Sequence, residues 1–225
     1  MKKRAFVSNG AAPRPEHRHK IFYYLTWTHP YIPISLYFMF SIGLIWWTYT
    51  VVGLLLWEVV ALFLGGLVAF TFVEYMTHRW VFHMFEVDDH TKDWTPHRQH
   101  GIHHDYPKDI NRLAMPPIAS IVVASVFFYL FRYVLDDYSY SFTAGFLSGY
   151  ALYLVVHYVI HVFRAPNNAF KALWVNHSIH HYQDEEIYFG VTSPMWDYIF
   201  GTVSKADQKH PESGPSERRY DSVSV

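Results

Sequence analysis

The 225-residue chain balances 18 basic against 19 acidic residues, a net charge of −1 with histidine neutral, so charge gives no reason to expect a nucleic-acid partner. It has no cysteine, which excludes disulfides, thiolate-held haem, cysteine-held iron–sulfur clusters and cysteine zinc fingers. Any metal must therefore be held by imidazole or carboxylate, and the chain has 16 histidines.

Residues 1–30 form a basic segment with Lys2, Lys3, Arg4, Arg14, Arg18 and Lys20. A bilayer core about 30 Å thick needs roughly 20 apolar helical residues to cross it. Four apolar runs approach or reach that length, 31–48, 52–73, 114–135 and 141–163. Glu58 interrupts the second, and the polar turn Asp136, Asp137, Tyr138 joins the third to the fourth. A soluble helical core of this size seldom carries four such runs. The first run lies too far along the chain, and is too long and too aromatic, for a cleavable signal peptide.

Basic residues precede the first run, and the short turns after the first and third carry no Lys or Arg, which places the N-terminus in the cytosol. With four spans, 74–113 and 164–225 then lie on that same side. The expected fold class is an all-α integral membrane protein, with four transmembrane helices and a cytosolic helical cap holding a histidine-rich dimetal site. After Thr202 the chain turns polar, and 203–225 reads as a disordered tail. It has no KDEL-type ending.

The histidines repeat. His78 and His83 fall in EYMTHRWVFHM and His100, His103 and His104 in HGIHH; His157 and His161 fall in HYVIH and His177, His180 and His181 in HSIHH. Each half runs two spans, a spaced pair, then a His-x-Ile-His-His unit, with 17 residues from His83 to His100 and 16 from His161 to His177. Such a repeat predicts two similar halves facing each other around two ions. Positions i and i+4 share a helical face, so His157 pairs with His161, His100 with His104 and His177 with His181. His103 and His180 lie about 100° round from their neighbours, so each triplet can serve two ions.

The i, i+5 spacing of His78 and His83 predicts either a break near Arg79 to Val81 or ligation of different ions. Thr95 before Pro96 reads as a helix start, and Pro107 ends that helix. A lone buried histidine is more often a hydrogen-bonding core residue than a ligand. That applies to His29 and His97, and His17, His19, His90 and His210 also fall outside the pattern. For ten at helix-face spacing it does not.

Imidazole suits zinc, copper, iron and nickel alike, so ligand type does not select the ion. Ten histidines exceed one closed zinc site and match two ions with open positions. Two redox ions beside a bilayer point to dioxygen chemistry on a lipid, whereas a zinc pair would point to hydrolysis. The chain has no G-x-S-x-G elbow, phosphate-cradling glycine loop or thiol to support hydrolysis or nucleotide chemistry.

These boxes resemble those of the fatty acid hydroxylase and sterol desaturase superfamily of membrane non-haem di-iron oxygenases. EYMTHRWVFHM, HGIHHDYPKDINRLAMPP and YFGVTSPMWDYIFGT resemble fatty acid 2-hydroxylases in particular, from about Glu74 to Thr202. The resemblance implies that residues 31–202 form a hydroxylase domain. Its metal ligands are His78, His83, His100, His103, His104, His157, His161, His177, His180 and His181. They hold two irons, with zinc able to occupy the site in isolated protein. The implied reaction hydroxylates the carbon next to an acyl carboxyl or amide, of a free fatty acid, thioester or ceramide, with dioxygen and two electrons.

Glu74, Asp105, Asp184 and Asp197 are candidates to orient the imidazoles. Several members carry an N-terminal b-type cytochrome domain, and about 30 residues before the first span are too few for one. The expectation is a separate donor, a b-type cytochrome or ferredoxin-like protein, and a bacterial inner membrane ahead of the endoplasmic reticulum. Two rivals stand beside this reading. A related sterol or carotenoid oxygenase shares the boxes, and a histidine-rich metal transporter or sensor would place ligands along a midplane path rather than at one end.

Overall fold

The computed structural model describes residues 7–12, 27–83, 96–205 and 207, with only the backbone for 96–99. Lys2, Lys3, Arg4, Arg14, Arg18 and Lys20 lie outside the described residues, as do His17, His19, His90, Thr95, His210 and the tail from 208. No strand occurs among the described residues. The helices are α1 (Tyr31–Trp47), α2 (Leu56–Met76), α3 (Pro96–Asp105), α4 (Pro117–Leu135), α5 (Ser139–Val162), α6 (Lys171–Tyr182) and α7 (Met195–Phe200). Wider π-turns extend α1 over Thr48–Val52 and α2 over Thr77–Phe82.

The helix ends follow local chemistry. Gly53, at φ 77°, closes the turn after α1 in the left-handed region, its N–H donating to the Thr48 carbonyl at 3.0 Å. That is why α2 starts at Leu56 and not at residue 52. Glu58 then accepts from the Leu55 N–H at 2.8 Å, so the one charge in this apolar run caps its first turn. α4 starts at Pro117 and not at residue 114, because Pro116 is extended (ψ 140°) ahead of a proline that suits the first helical position. Between α4 and α5 the chain makes the tight turn Asp136–Tyr138, where Arg132 pairs with Asp136 and with Asp137, the latter at 3.0 Å.

Among the described residues, three helical stretches are long and apolar enough to cross a membrane: Tyr31–Val52 with 22 residues, Leu56–Phe82 with 27 and Ile110–Val162 with 53. The last contains both α4 and α5. Large apolar side chains such as Trp46, Leu56, Trp57, Val126 and Tyr133 are exposed on these stretches, as a lipid-facing surface requires.

The described residues fall into two compact groups. One is drawn from 20–73 and 111–155. Its centre is Tyr37, Leu147 and Ala151, with Tyr150 set edge-on to Tyr37 at 5.2 Å. α2 and α5 meet there on glycine: a Cβ at Gly145 would lie 1.9 Å from the Phe63 carbonyl oxygen, and one at Gly66 2.0 Å from that of Phe142. Gly145 and Gly149 form the small-xxx-small spacing that lets apolar helices approach closely.

The other group is drawn from 1–19, 74–110 and 156–225, and it contains all ten repeated histidines. Its apolar centre is Val175, Ile179, Tyr188 and Val203.

Candidate metal centre

The histidines gather into two sets of five. His78, His83, His100, His104 and His180 bring ligand atoms within 4.8 Å of one another, and His103, His157, His161, His177 and His181 do the same. Each set takes four rings from one half of the repeat and one from the other. The crossing ring is His180 in the first set and His103 in the second, the middle-phase histidine of each His-x-Ile-His-His unit. The i, i+4 pairs stay together, since His100 and His104 share the first set while His157 with His161 and His177 with His181 share the second. His104 and His181 link the sets, their rings stacked at 4.3 Å and 27°.

His78 and His83 share a set, and of the two alternatives, a break near Arg79 to Val81 or service to different ions, the backbone takes the first. On an ordinary helix five residues leave about 140° between side chains. Thr77–Phe82 is a π-turn, whose hydrogen bonds close at i+5 and bring residues five apart back to one side. The two rings lie 5.3 Å apart.

The rings converge through Nε2. His100 Nε2 is 3.2 Å from that of His83 and 3.0 Å from that of His104. His161 Nε2 is 3.1 Å from that of His157 and 2.9 Å from that of His177, itself 3.0 Å from that of His181. A neutral imidazole has one N–H. His78 donates its Nδ1–H to the Phe189 carbonyl at 2.5 Å, and His180 donates its own to the Ile187 carbonyl at 2.9 Å. Each therefore presents a bare lone pair at Nε2, buried and with no hydrogen-bond partner among the described residues. Buried lone pairs without a donor fit a metal ion in the first set, and the Nε2 atoms of the second set converge at the same spacing around a space such an ion could fill.

Burial, and then repulsion among neighbouring rings, holds His100, His103, His104, His177, His180 and His181 well below the usual histidine range. They are neutral at pH 7, the state a ligand must have. Two aromatic rings close off the first set: Phe82 stacks on His100 at 4.6 Å, and Phe189 stands edge-on to His78, His83 and His180 at 5.7, 5.5 and 5.4 Å. Neither phenylalanine belongs to the repeated histidine pattern that marks the site in the sequence.

Of the four candidate carboxylates, two converge on one segment. Asp197 accepts from the Phe189 N–H at 2.8 Å and the Gly190 N–H at 2.9 Å, and from the Thr202 hydroxyl at 2.8 Å. Glu74 accepts from the Val191 N–H at 2.7 Å, the Thr192 N–H at 3.0 Å and the Thr192 hydroxyl. Both bind backbone. Burial pushes Asp197 up to about 6 against the hydrogen bonds that lower it, so it is ionised at pH 7.

The Asp105 carbonyl accepts from the N–H groups of Val7 and Ser8. Asp184 accepts from the Glu186 N–H at 3.1 Å in an exposed turn, the role of an ordinary cap. The Nδ1 of His29, which sits in the other group, takes a long 3.4 Å hydrogen bond from the Tyr31 N–H.

The fold and site define a helical protein with membrane-length apolar helices and two largely buried, all-imidazole clusters that could each hold a metal ion. Residues 62–202 match the fatty acid hydroxylase family, and the chain belongs to that family. It is 35% identical over 173 residues to a ceramide very long chain fatty acid hydroxylase of Schizosaccharomyces pombe, covering 72% of this chain and 50% of that protein. It is 36% identical to the fatty acid 2-hydroxylase of Mus musculus, covering 68% and 42%. With a dihydroceramide fatty acyl 2-hydroxylase of Arabidopsis thaliana it shares 32% identity, covering 68% and 65%.

The chain thus spans about half the length of the curated relatives it matches. A solved structure of full-length scs7p, in which only the hydroxylase domain is visible, superposes with a TM-score of 0.74 at 28% identity, covering 88% of this chain and 74% of that one.

Proposed function

We propose that the protein hydroxylates the 2-position of a fatty acyl chain, as a free acid or as the acyl group of a sphingolipid. One oxygen atom of dioxygen enters the C–H bond. The other leaves as water with two protons and two electrons from a redox protein of the b-type cytochrome or ferredoxin class. The observation that carries the reading is the pair of five-histidine sets in a chain of the fatty acid hydroxylase family.

The ten histidines would hold two irons, whose chemistry when bound is the reductive activation of dioxygen. Each set offers five imidazoles, more than the four ligands of a closed structural zinc site, which supports iron as the ion they would hold. The chain's own share is to hold His100, His103, His104, His177, His180 and His181 neutral, to aim His78 and His180 through their Nδ1–H bonds, and to keep water off the first set with Phe82 and Phe189.

The reading includes four membrane spans. The 53 residues of Ile110–Val162 would extend roughly 80 Å as one straight helix, far beyond a bilayer core, and the turn at Asp136 supports two spans there. The histidine group would face the cytosol. The relatives named above come from a yeast, a mouse and a plant, so they lend no support to a bacterial inner membrane.

The test is lipid analysis of a host that lacks 2-hydroxylated acyl chains and supplies an electron donor. Expression of the chain should produce 2-hydroxy acyl lipids, and His180→Ala should abolish them. Failure of the unsubstituted chain to produce them, at normal abundance, would refute the activity.

A further inference from the structure

The segment Ile187–Thr192 faces two ways. Its carbonyls at Ile187 and Phe189 accept from His180 and His78, both in the first histidine set. Its N–H groups at Phe189, Gly190, Val191 and Thr192 are all taken by Asp197 and Glu74. We infer that Asp197 and Glu74 are positioning residues for the first set alone, fixing the rings of His78 and His180 through this strap.

The inference rests on the two-metal reading above. The second set lacks an equivalent support at two of its rings, since the Nδ1 atoms of His177 and His181 are buried with no hydrogen-bond partner among the described residues. Loss of an outer partner that orients a ligand weakens metal binding by about 10–100-fold, and here that loss falls on one ion of two.

Hydrogen-bond chemistry ranks the substitutions. At position 197 one carboxylate oxygen takes the Phe189 N–H and the other takes the Gly190 N–H, so in Asp197→Asn either amide orientation points NH₂ at a backbone donor. At position 74 a single oxygen takes both backbone N–H groups, and the other meets a hydroxyl that can rotate to accept. Glu74→Gln therefore keeps the strap in place, whereas Glu74→Ala releases it. A role resting on negative charge would instead make the two carboxamides equally harmful.

The experiment loads the full detergent-solubilised chain with zinc(II) at pH 7.5, challenges it with graded chelator, and counts metal per chain by elemental analysis, with a melting curve on each variant. The unsubstituted chain and Glu74→Gln should retain two ions at a chelator level that leaves one in Asp197→Asn and in Glu74→Ala. Adding His161→Ala to Asp197→Asn should bring the count to none, while adding His78→Ala should leave it at one.

Two ions in Asp197→Asn, loss of both with an unchanged melting curve, or equal losses in Glu74→Gln and Glu74→Ala would overturn the strap's role. Should Asp197→Asn fail to fold, the Glu74 pair decides alone, two against one in favour and equal counts against. Fewer than two ions in the unsubstituted chain would overturn the two-metal reading and the inference with it.

Discussion

Acidification from pH 7.5 to 5.5 should both unfold the zinc-loaded protein and strip its metal. Six rings, His100, His103, His104, His177, His180 and His181, are held well below the ordinary histidine value of 6.5 by burial and mutual repulsion. A group whose folded pKa is depressed binds fewer protons in the native state than in the unfolded one, so stability falls as pH drops below the unfolded value. Metal binding acts in the same direction, because a ligating imidazole must be neutral.

One pH unit below 6.5, keeping a single ring neutral costs about 1.4 kcal/mol relative to the unfolded chain. For six rings the loss reaches about 8 kcal/mol at pH 5.5, as much as the whole stability of many domains. The assay is thermal unfolding in detergent across this range, with metal counted after gel filtration at each pH. The midpoint should be level between pH 8 and 7 and fall steeply between 6.5 and 5.5, with zinc lost in the same window. A level midpoint and a constant ion count down to pH 5.5 would refute the claim that these rings are buried and neutral.

Two packing predictions bear on the helices and the strap. Gly145→Ala puts a methyl 1.9 Å from the Phe63 carbonyl oxygen and should cost about 1–3 kcal/mol, whereas Gly43→Ala meets nothing within 4 Å and should be neutral or stabilising by up to about 1 kcal/mol. Equal denaturation midpoints for the two variants would dismiss the close α2–α5 contact. Gly190→Ala sets a Cβ 2.2 Å from the Ser193 carbonyl oxygen and 2.8 Å from Asp197 Oδ2, so it should displace the strap and lower zinc retention against chelator. Retention equal to that of the unsubstituted chain would mean the strap yields without disturbing His78 and His180.

Much of the candidate site was legible because its signals are local. Helix periodicity alone groups His100 with His104, His157 with His161 and His177 with His181, and each pair occupies one set. The polar turn at Asp136 and the apolar run of α1 were equally readable, since turn chemistry and apolar length act over a few residues. Helix starts at Leu56 and Pro117 came three or four residues later than the apolar pattern implied, because Gly53 and Pro116 impose backbone angles that hydropathy does not register.

The carboxylates were less legible. Glu74 and Asp197 were picked out as acidic residues near ligands, but their partners are backbone N–H groups, in Glu74's case 117 and 118 residues away. No pattern of side chains announces such a partner.

The sequence by itself determined that ten histidines form a duplicated pattern of candidate ligands and that pairs four apart share a helical face, because composition and helical phase are properties of the chain alone. Only the tertiary structure decided how ten become two fives. It sends His180 to the rings of the first half and His103 to those of the second, and it uses a π-turn to return His78 and His83 to one set. The direction of a ring is set locally, but the set it joins depends on which distant element is packed opposite, and that is a property of the fold.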